Sequence, residues 1–154
     1  MPLERRYFDS CIFIYVISNN KDFEPMCSAA ISAAEQGQFR LVTSMLTMIE
    51  VVKGESGTRT PSPEVRQMIT AYFDREHILM AQVTRDVMRH ARELMWKYGA
   101  IKLTGIDAVH LATALDTGCT SLYTYDGVLL KTSEPKIRVE KPNIQAQPSL
   151  PGVH

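Results

Sequence analysis

Asp107 and His110 lie three residues apart in a stretch, residues 103–115, that is otherwise apolar almost all the way round. Read as a helix, the stretch is buried, and the two side chains share one face. A carboxylate on a buried helix is costly unless it is paired, hydrogen-bonded or bound to a cation. Thr47 and Glu50 repeat the pattern in residues 44–54, again three apart among apolar neighbours. Two further acids, Asp9 and Asp126, each close a short run rich in aromatic and aliphatic residues. Four carboxylates gathered at one point suit a hard divalent cation such as Mg²⁺, which prefers oxygen ligands and keeps several waters. Without a cation they repel, because two unit charges about 4 Å apart interact by about 4 kcal/mol at an effective dielectric of 20.

Each residue also has a plainer role open to it. Asp9 suits the N-cap of the helix that follows, and Asp107 stands three residues after Thr104, where acids favour a first helical turn. Asp126 before Gly127 is a turn signal. Glu50 lies beyond the first turn of its expected helix, so a buried ion pair is its main alternative. His110 fits a hydrogen-bonded core histidine, and Thr47 and Thr113 fit hydroxyls bonded back to their own helices.

The elements that must position these groups follow from periodicity and punctuation. Residues 5–9 read as a strand ending in Asp9, and residues 10–17 as a helix. A second helix opens at Asp22 or Glu24, runs through Ala34 and stops near Gly37. Residues 39–43 form a strand. Residues 44–54 form a helix capped by Ser44 and ended by Gly54. Residues 55–63 are a loop, and Pro63 suits the first turn of a helix over 64–74. Residues 77–83 read as a strand. Thr84 caps an amphipathic helix over 85–98, with Val87, Ala91, Leu94 and Met95 inward and Gly99 at its end. Thr104 opens the central helix. A strand over 121–126 ends in Asp126, a short helix or turn covers 127–132, and residues 137–139 suit an edge strand. This alternation predicts an α/β fold, a three-layer α/β/α sandwich with a central, mostly parallel sheet. Ligands in such sheets bind beyond the carboxyl ends of the strands, where Asp9 and Asp126 are expected. One domain over residues 1–141 is expected, followed by a loosely held tail, 142–154, rich in proline, glutamine and serine.

At 154 residues the chain can bury an ordinary core. With 45% hydrophobic and 22% charged residues it is a globular chain, not a disordered one. Lys+Arg and Asp+Glu are equal at 17 each, so the totals lack the basic excess usual in nucleic-acid binders. The start shows no signal peptide, and the longest apolar run is too short to span a bilayer. Cys11, Cys27 and Cys119 form no Cys-x-x-Cys motif, and reduced thiols in a cytoplasmic protein are expected.

The four acids and their surroundings resemble the PIN-domain ribonucleases, and within them the VapC-type toxins of toxin–antitoxin pairs. The matching blocks are Tyr7-Phe8-Asp9-Ser10, then Ser44-x-x-Thr47-x-x-Glu50-Val51. Next come residues 105–114, with Asp107 opening an alanine-rich helix, and finally Thr124-Tyr125-Asp126. The block around Asp107 is the most distinctive, and the likeness spans roughly residues 6–139. It implies an endoribonuclease dependent on Mg²⁺ or Mn²⁺, an RNA substrate, a cognate antitoxin as partner, and a homodimer. It assigns Asp9, Asp107 and Asp126 to the metal, with Glu50 acting directly or through a water. Ser10, Ser44 and Thr124 are expected to bond the carboxylates or a phosphate oxygen. Arg59, Lys53 and Lys131 are candidates for RNA contacts, and a solvated surface explains each as well.

Two rivals remain in view. A phosphohydrolase of the haloacid-dehalogenase type needs a second aspartate two residues after the first, and Cys11 stands there. A catalytically silent PIN-like module that binds RNA or a protein partner keeps the fold without the reaction.

Overall fold

The computed structural model describes residues 2–53 and 58–145. Five strands, β1 (Arg5–Phe8), β2 (Arg40–Ser44), β3 (Ile78–Ala81), β4 (Ser121–Tyr123) and β5 (Arg138–Glu140), form one sheet in the order β3-β2-β1-β4-β5. Every pairing is parallel. Among the described residues six α-helices accompany them: α1 (Ser10–Ile17), α2 (Glu24–Glu35), α3 (Thr47–Glu50), α4 (Pro63–Phe73), α5 (Arg85–Lys97) and α6 (Gly105–Asp116). Among the described residues, no helix is long and apolar enough to cross a membrane.

Strand alternation divides the core in two. Tyr7, Val42 and Leu122 point to the face covered by α5 and α6, where Val87, Ala91, Leu94, Leu111 and Ala112 meet them. Phe8, Leu41 and Tyr123 point to the other face, where Phe13, Cys27, Ile31, Ile69 and Phe73 from α1, α2 and α4 pack. Successive strand residues point to opposite faces, so a sheet covered on both sides takes apolar residues at consecutive positions, here Tyr7-Phe8, Leu41-Val42 and Leu122-Tyr123. This is the expected α/β/α sandwich, and its sheet is wholly parallel.

Local chemistry sets the helix ends. The Asp9 carboxylate caps α1 by accepting from the Ser10 N–H, Ser62 caps α4, Thr84 caps α5 and Thr104 caps α6. Gly37 and Gly118 follow α2 and α6 with φ of +79° and +71°, the left-handed conformation that glycine adopts without strain.

Three expectations need correction. The helix expected over residues 44–54 is a single turn, α3. Ser44 belongs to β2, Val51 already leaves the helix, and Gly54 lies outside the described residues. Its apolar side chains do not enter the core: Ile49 is 71% exposed and Met48 45%. Asp9 does not end a strand but sits one residue beyond β1, as the cap of α1. Asp126 lies three residues beyond β4, where its side chain closes the turn before the 3₁₀ helix Leu129–Lys131. Of the expected loop over 55–63, residues 55–57 lie outside the described residues. So do residues 146–154 of the expected tail; before them, Pro142 is buried and Ile144 packs against the second core.

Candidate active site

The strand order fixes where a site can form. From β1 the chain moves outward to β2 and β3, then crosses back to place β4 on the other side of β1. Adjacent connections leave β1 and β4 in opposite directions, which opens a crevice at their carboxyl ends. Asp9 follows β1 and Asp126 follows β4, so both acids belong to that crevice. The first turn of α6 brings Asp107 to them, and the end of α3 brings Glu50.

Asp9 is held most firmly. It is 4% exposed. Its Oδ1 accepts from the Ser10 N–H at 2.8 Å, and its Oδ2 accepts from the Thr124 hydroxyl at 2.8 Å. Thr124 Oγ1 in turn accepts from the Asp126 N–H at 3.0 Å, so one buried threonine ties the two strand-end segments together. Asp126 Oδ1 accepts from the N–H groups of Val128 and Leu129, both at 2.9 Å. Burial, and then the negative charges of Asp126 and Asp9, push the Asp107 carboxyl up to about 6. Its ionised form is resisted where the other aspartates already carry charge.

Glu50 reaches the group through His110. That ring is fully buried, with Nε2 2.5 Å from Glu50 Oε1 and 3.5 Å from Asp9 Oδ1. Its Nδ1 lies 2.6 Å from the Tyr7 hydroxyl. An ionised carboxylate only accepts, so Nε2 carries a proton; in the neutral ring Nδ1 then accepts from the Tyr7 O–H. Burial works against the imidazolium. The hydrogen bond to Glu50 and the charges of Asp9, Glu50 and Asp107 outweigh it, and the His110 pKa is raised.

All four sequence-predicted acids thus converge on the β1–β4 crevice. Of the three hydroxyls expected to bond the carboxylates or a phosphate oxygen, those of Ser10 and Thr124 bond a carboxylate, and all three are built inward. Ser10 is nearly buried against Asp9, and Thr124 is fully buried between Asp9 and Asp126. Ser44 is fully buried, its hydroxyl accepting from the Leu46 N–H at 3.0 Å. Thr113 bonds back to the Val109 carbonyl as expected for a helix interior. Thr47 does not: its hydroxyl pairs with Thr43 Oγ1 at 2.7 Å, and Thr43 donates to the Phe8 carbonyl at 2.8 Å, which fastens α3 to the sheet. Lys53, Arg59 and Lys131 are exposed. The link that sequence reasoning missed is Tyr7–His110–Glu50. The shared face of Asp107 and His110 was its one trace.

A family model described as PIN domain matches residues 6–135. The chain belongs to the PIN domain family. No curated protein matches. Among solved structures, the chain resembles Mycobacterium tuberculosis VapC20, a toxin that cleaves the sarcin–ricin loop. Identity is 15% and the TM-score 0.64, over 79% of this chain and 90% of that one. It also resembles a chain of VapBC2 from Rickettsia felis, bound to a DNA fragment from their promoter. There identity is 15% and the TM-score 0.66, over 90% of this chain and 99% of that one. At such identity the likeness concerns the fold. It places this PIN domain among structures built on the same sheet.

The donor set of this PIN domain is all oxygen at its centre, the chemistry that Mg²⁺ and Mn²⁺ take. Among the described residues, no three His, Cys, Asp or Glu side chains already stand as a cage for an ion. Mg²⁺ needs none: it is usually held by one or two carboxylates and completes its shell with water and substrate oxygens. The residues therefore fit such an ion. A groove of about 800 Å³ opens beside the site, between α5 and α6, lined by Leu46, Met88, Met95 and Ile106 with Arg85, Arg89 and Arg92. None of the four acids lines it.

Proposed function

We propose that this PIN domain is a divalent-metal-dependent endoribonuclease and the toxin of a toxin–antitoxin pair. The observation that carries the reading is the convergence of Asp9, Asp107 and Asp126 at the sheet's switch point, where burial and then the charges of Asp126 and Asp9 push the Asp107 carboxyl up to about 6. A fold that gathers acids at a cost to their ionised forms is prepared for a cation. Mg²⁺ or Mn²⁺ held there supplies Lewis-acid stabilisation of a phosphodiester and a water of lowered pKa. Asp9, Asp107 and Asp126 are the proposed ligands, with Glu50 acting directly or through a water. The chain's own part is positional. Ser10 and Thr124 fix the Asp9 carboxylate, the N–H groups of Val128 and Leu129 fix Asp126, and the capped first turn of α6 fixes Asp107. Ser10 and Thr124 thus act on substrate through the Asp9 carboxylate they orient, and Ser44 acts through the turn ahead of Glu50 that its hydroxyl closes on the Leu46 N–H.

The partner reading rests on surface chemistry and likeness together. Met45, Met48, Ile49 and Val52 are exposed around Glu50, and Met88, Trp96 and Ile106 are exposed around the arginine-lined groove. Exposed apolar area of this extent marks an interaction surface. The Rickettsia felis relative is found as VapBC2, which points to a cognate antitoxin here; a homodimer is the second assembly proposed. RNA cleavage by the purified chain, present with Mn²⁺ and absent with EDTA, tests the nuclease reading. Mn²⁺-induced stabilisation without cleavage of any RNA would favour the silent module instead. Co-purification with the product of the adjacent gene on size exclusion tests the partner; separate elution at micromolar concentration would count against it.

A further inference from the structure

Glu50 has a weaker seat than the other acids. Its helix is one turn long, and the side chains just before it, Met48 and Ile49, face solvent. Thr47 fastens the start of that turn to β2, three residues from the carboxylate. Among the described residues, the hydrogen-bond partner of the Glu50 carboxylate is His110. The imidazole is itself immobilised. It is fully buried on α6, its Nδ1 meets the Tyr7 hydroxyl at 2.6 Å, and the two rings pack edge to face with centroids 5.7 Å apart. Tyr7 is fully buried and lies in the middle strand, paired with β2 on one side and β4 on the other. A continuous chain of contacts thus runs from the middle strand of the sheet to the most loosely seated acid.

The geometry points to His110 as a positioning residue, with Tyr7 behind it, that pins Glu50 Oε1 beside Asp9 and leaves Oε2 to face a cation or its water. The inference rests on the metal-nuclease reading above and adds to it how the fourth acid is placed. A histidine that only filled the core would bond a backbone carbonyl or a remote side chain. This one hydrogen-bonds the Glu50 carboxylate through Nε2, the same nitrogen that lies 3.5 Å from Asp9 Oδ1. Tyr7 fixes which nitrogen carries the proton, because its O–H is donated to Nδ1 and leaves the Nε2 proton for Glu50. Groups that orient metal-binding carboxylates from behind typically change metal affinity 10–100-fold when removed.

The test is Mn²⁺ affinity of the full chain by titration calorimetry, with folding checked by circular dichroism. His110→Leu weakens Mn²⁺ binding by about tenfold or more. Tyr7→Phe, nearly isosteric, weakens it less but measurably. His110→Gln, whose amide nitrogen is as many bonds from Cβ as Nε2, restores most of the loss. In a Glu50→Gln background, His110→Leu has little further effect, because the carboxylate it positions is gone. An unchanged Mn²⁺ affinity in His110→Leu overturns the inference, as does an equally large loss in the Glu50→Gln background. If His110→Leu does not fold, an unchanged affinity in Tyr7→Phe overturns it. A parent protein that binds no Mn²⁺ overturns the metal reading, and this inference with it. A parent that binds normally beside an indifferent His110→Leu overturns only the inference.

Discussion

Asp107 projects from the first turn of a twelve-residue helix in which residues 108–114 are all buried; Glu50 ends a four-residue helix with Met48 and Ile49 in solvent. Both acids reach the same crevice. The first is placed by its backbone: α6 is capped by Thr104, packed along α5 and buried from Ala108 to Ala114, directly after Asp107. The second is placed by its partners, Thr47 on Thr43 and His110 on the carboxylate. The consequence is a division of labour. The backbone-placed acid keeps its position through its helix, and the partner-placed acid depends for its position on two side-chain contacts.

The sharpest way to break this comparison is to remove the charge of the partner-placed acid. Glu50→Gln preserves shape and can still bond an imidazole nitrogen. RNA cleavage in Mn²⁺ is expected to fall by about 100-fold or more if Glu50 manages the proton of the attacking water, with the thermal midpoint little changed. Near-parental turnover by the purified variant would remove Glu50 from the site.

Removing the backbone-placed charge should show itself in stability. In EDTA, Asp107→Asn relieves repulsion and loses only a charge–dipole contribution of roughly 0.3–1 kcal/mol, so the variant is expected to be as stable as the parent or more so. In Mn²⁺ the parent should rise in midpoint, because a ligand bound only by the folded state stabilises it, and the variant should rise much less. Equal shifts would mean that Asp107 is not a ligand. The pH dependence has a definite sign. The folded-state pKa of Asp107 is raised from 3.8 to about 6, so its contribution to stability is present below the unfolded value and lost as pH climbs through about 6. His110 is raised as well, and its contribution is likewise lost as pH rises through its folded value. The metal-free parent should therefore melt higher at about pH 5 than at about pH 8, and Asp107→Asn should flatten that slope. His77, held below its usual value by burial, adds an opposite slope to both proteins, so identical slopes in parent and variant would contradict the cluster.

The difference between the two segments also marks where sequence stops being legible. Around Asp107, burial all round, a threonine cap and a glycine stop agree with one another, and residues 105–116 fold as expected. Around Glu50, Met45, Met48, Ile49 and Val52 carry the same apolar signal but lie on the surface. Hydrophobic spacing reports that a side chain avoids water, not whether the core or another molecule covers it. The acids at Asp9 and Asp126 were legible as turn and cap residues near strand ends because such positions leave local marks. The Tyr7–His110 contact joins residues 103 apart, and no local pattern encodes it. Thr47 departs from expectation for a different, local reason: α3 begins at Thr47 itself, so no turn of its own helix lies behind it, and its hydroxyl meets Thr43 in the preceding strand.

The smallest effects come from loosening each segment at its base, and they sharpen the comparison because they leave every acid in place. Thr47→Val deletes the hydroxyl that donates to Thr43 and leaves a buried oxygen short of a partner, at a cost of about 1–3 kcal/mol. Thr104→Ala deletes a helix cap, at a cost of about 1 kcal/mol. For a chain of this size each kcal/mol lowers the thermal midpoint by about 2–4 °C. The stability losses are therefore similar in kind, and the functional consequences should differ. With Thr104→Ala, α6 remains locked by its buried residues, so Asp107 stays in place and the Mn²⁺-induced shift should match the parent's. With Thr47→Val, α3 loses its tie to the sheet and Glu50 hangs from His110 alone, so the Mn²⁺-induced shift and cleavage should both fall. Melts of the two variants with EDTA and with Mn²⁺ decide the matter. If Thr104→Ala blunts the metal response as much as Thr47→Val, the two acids are held by equally fragile means and the division of labour proposed for them is wrong.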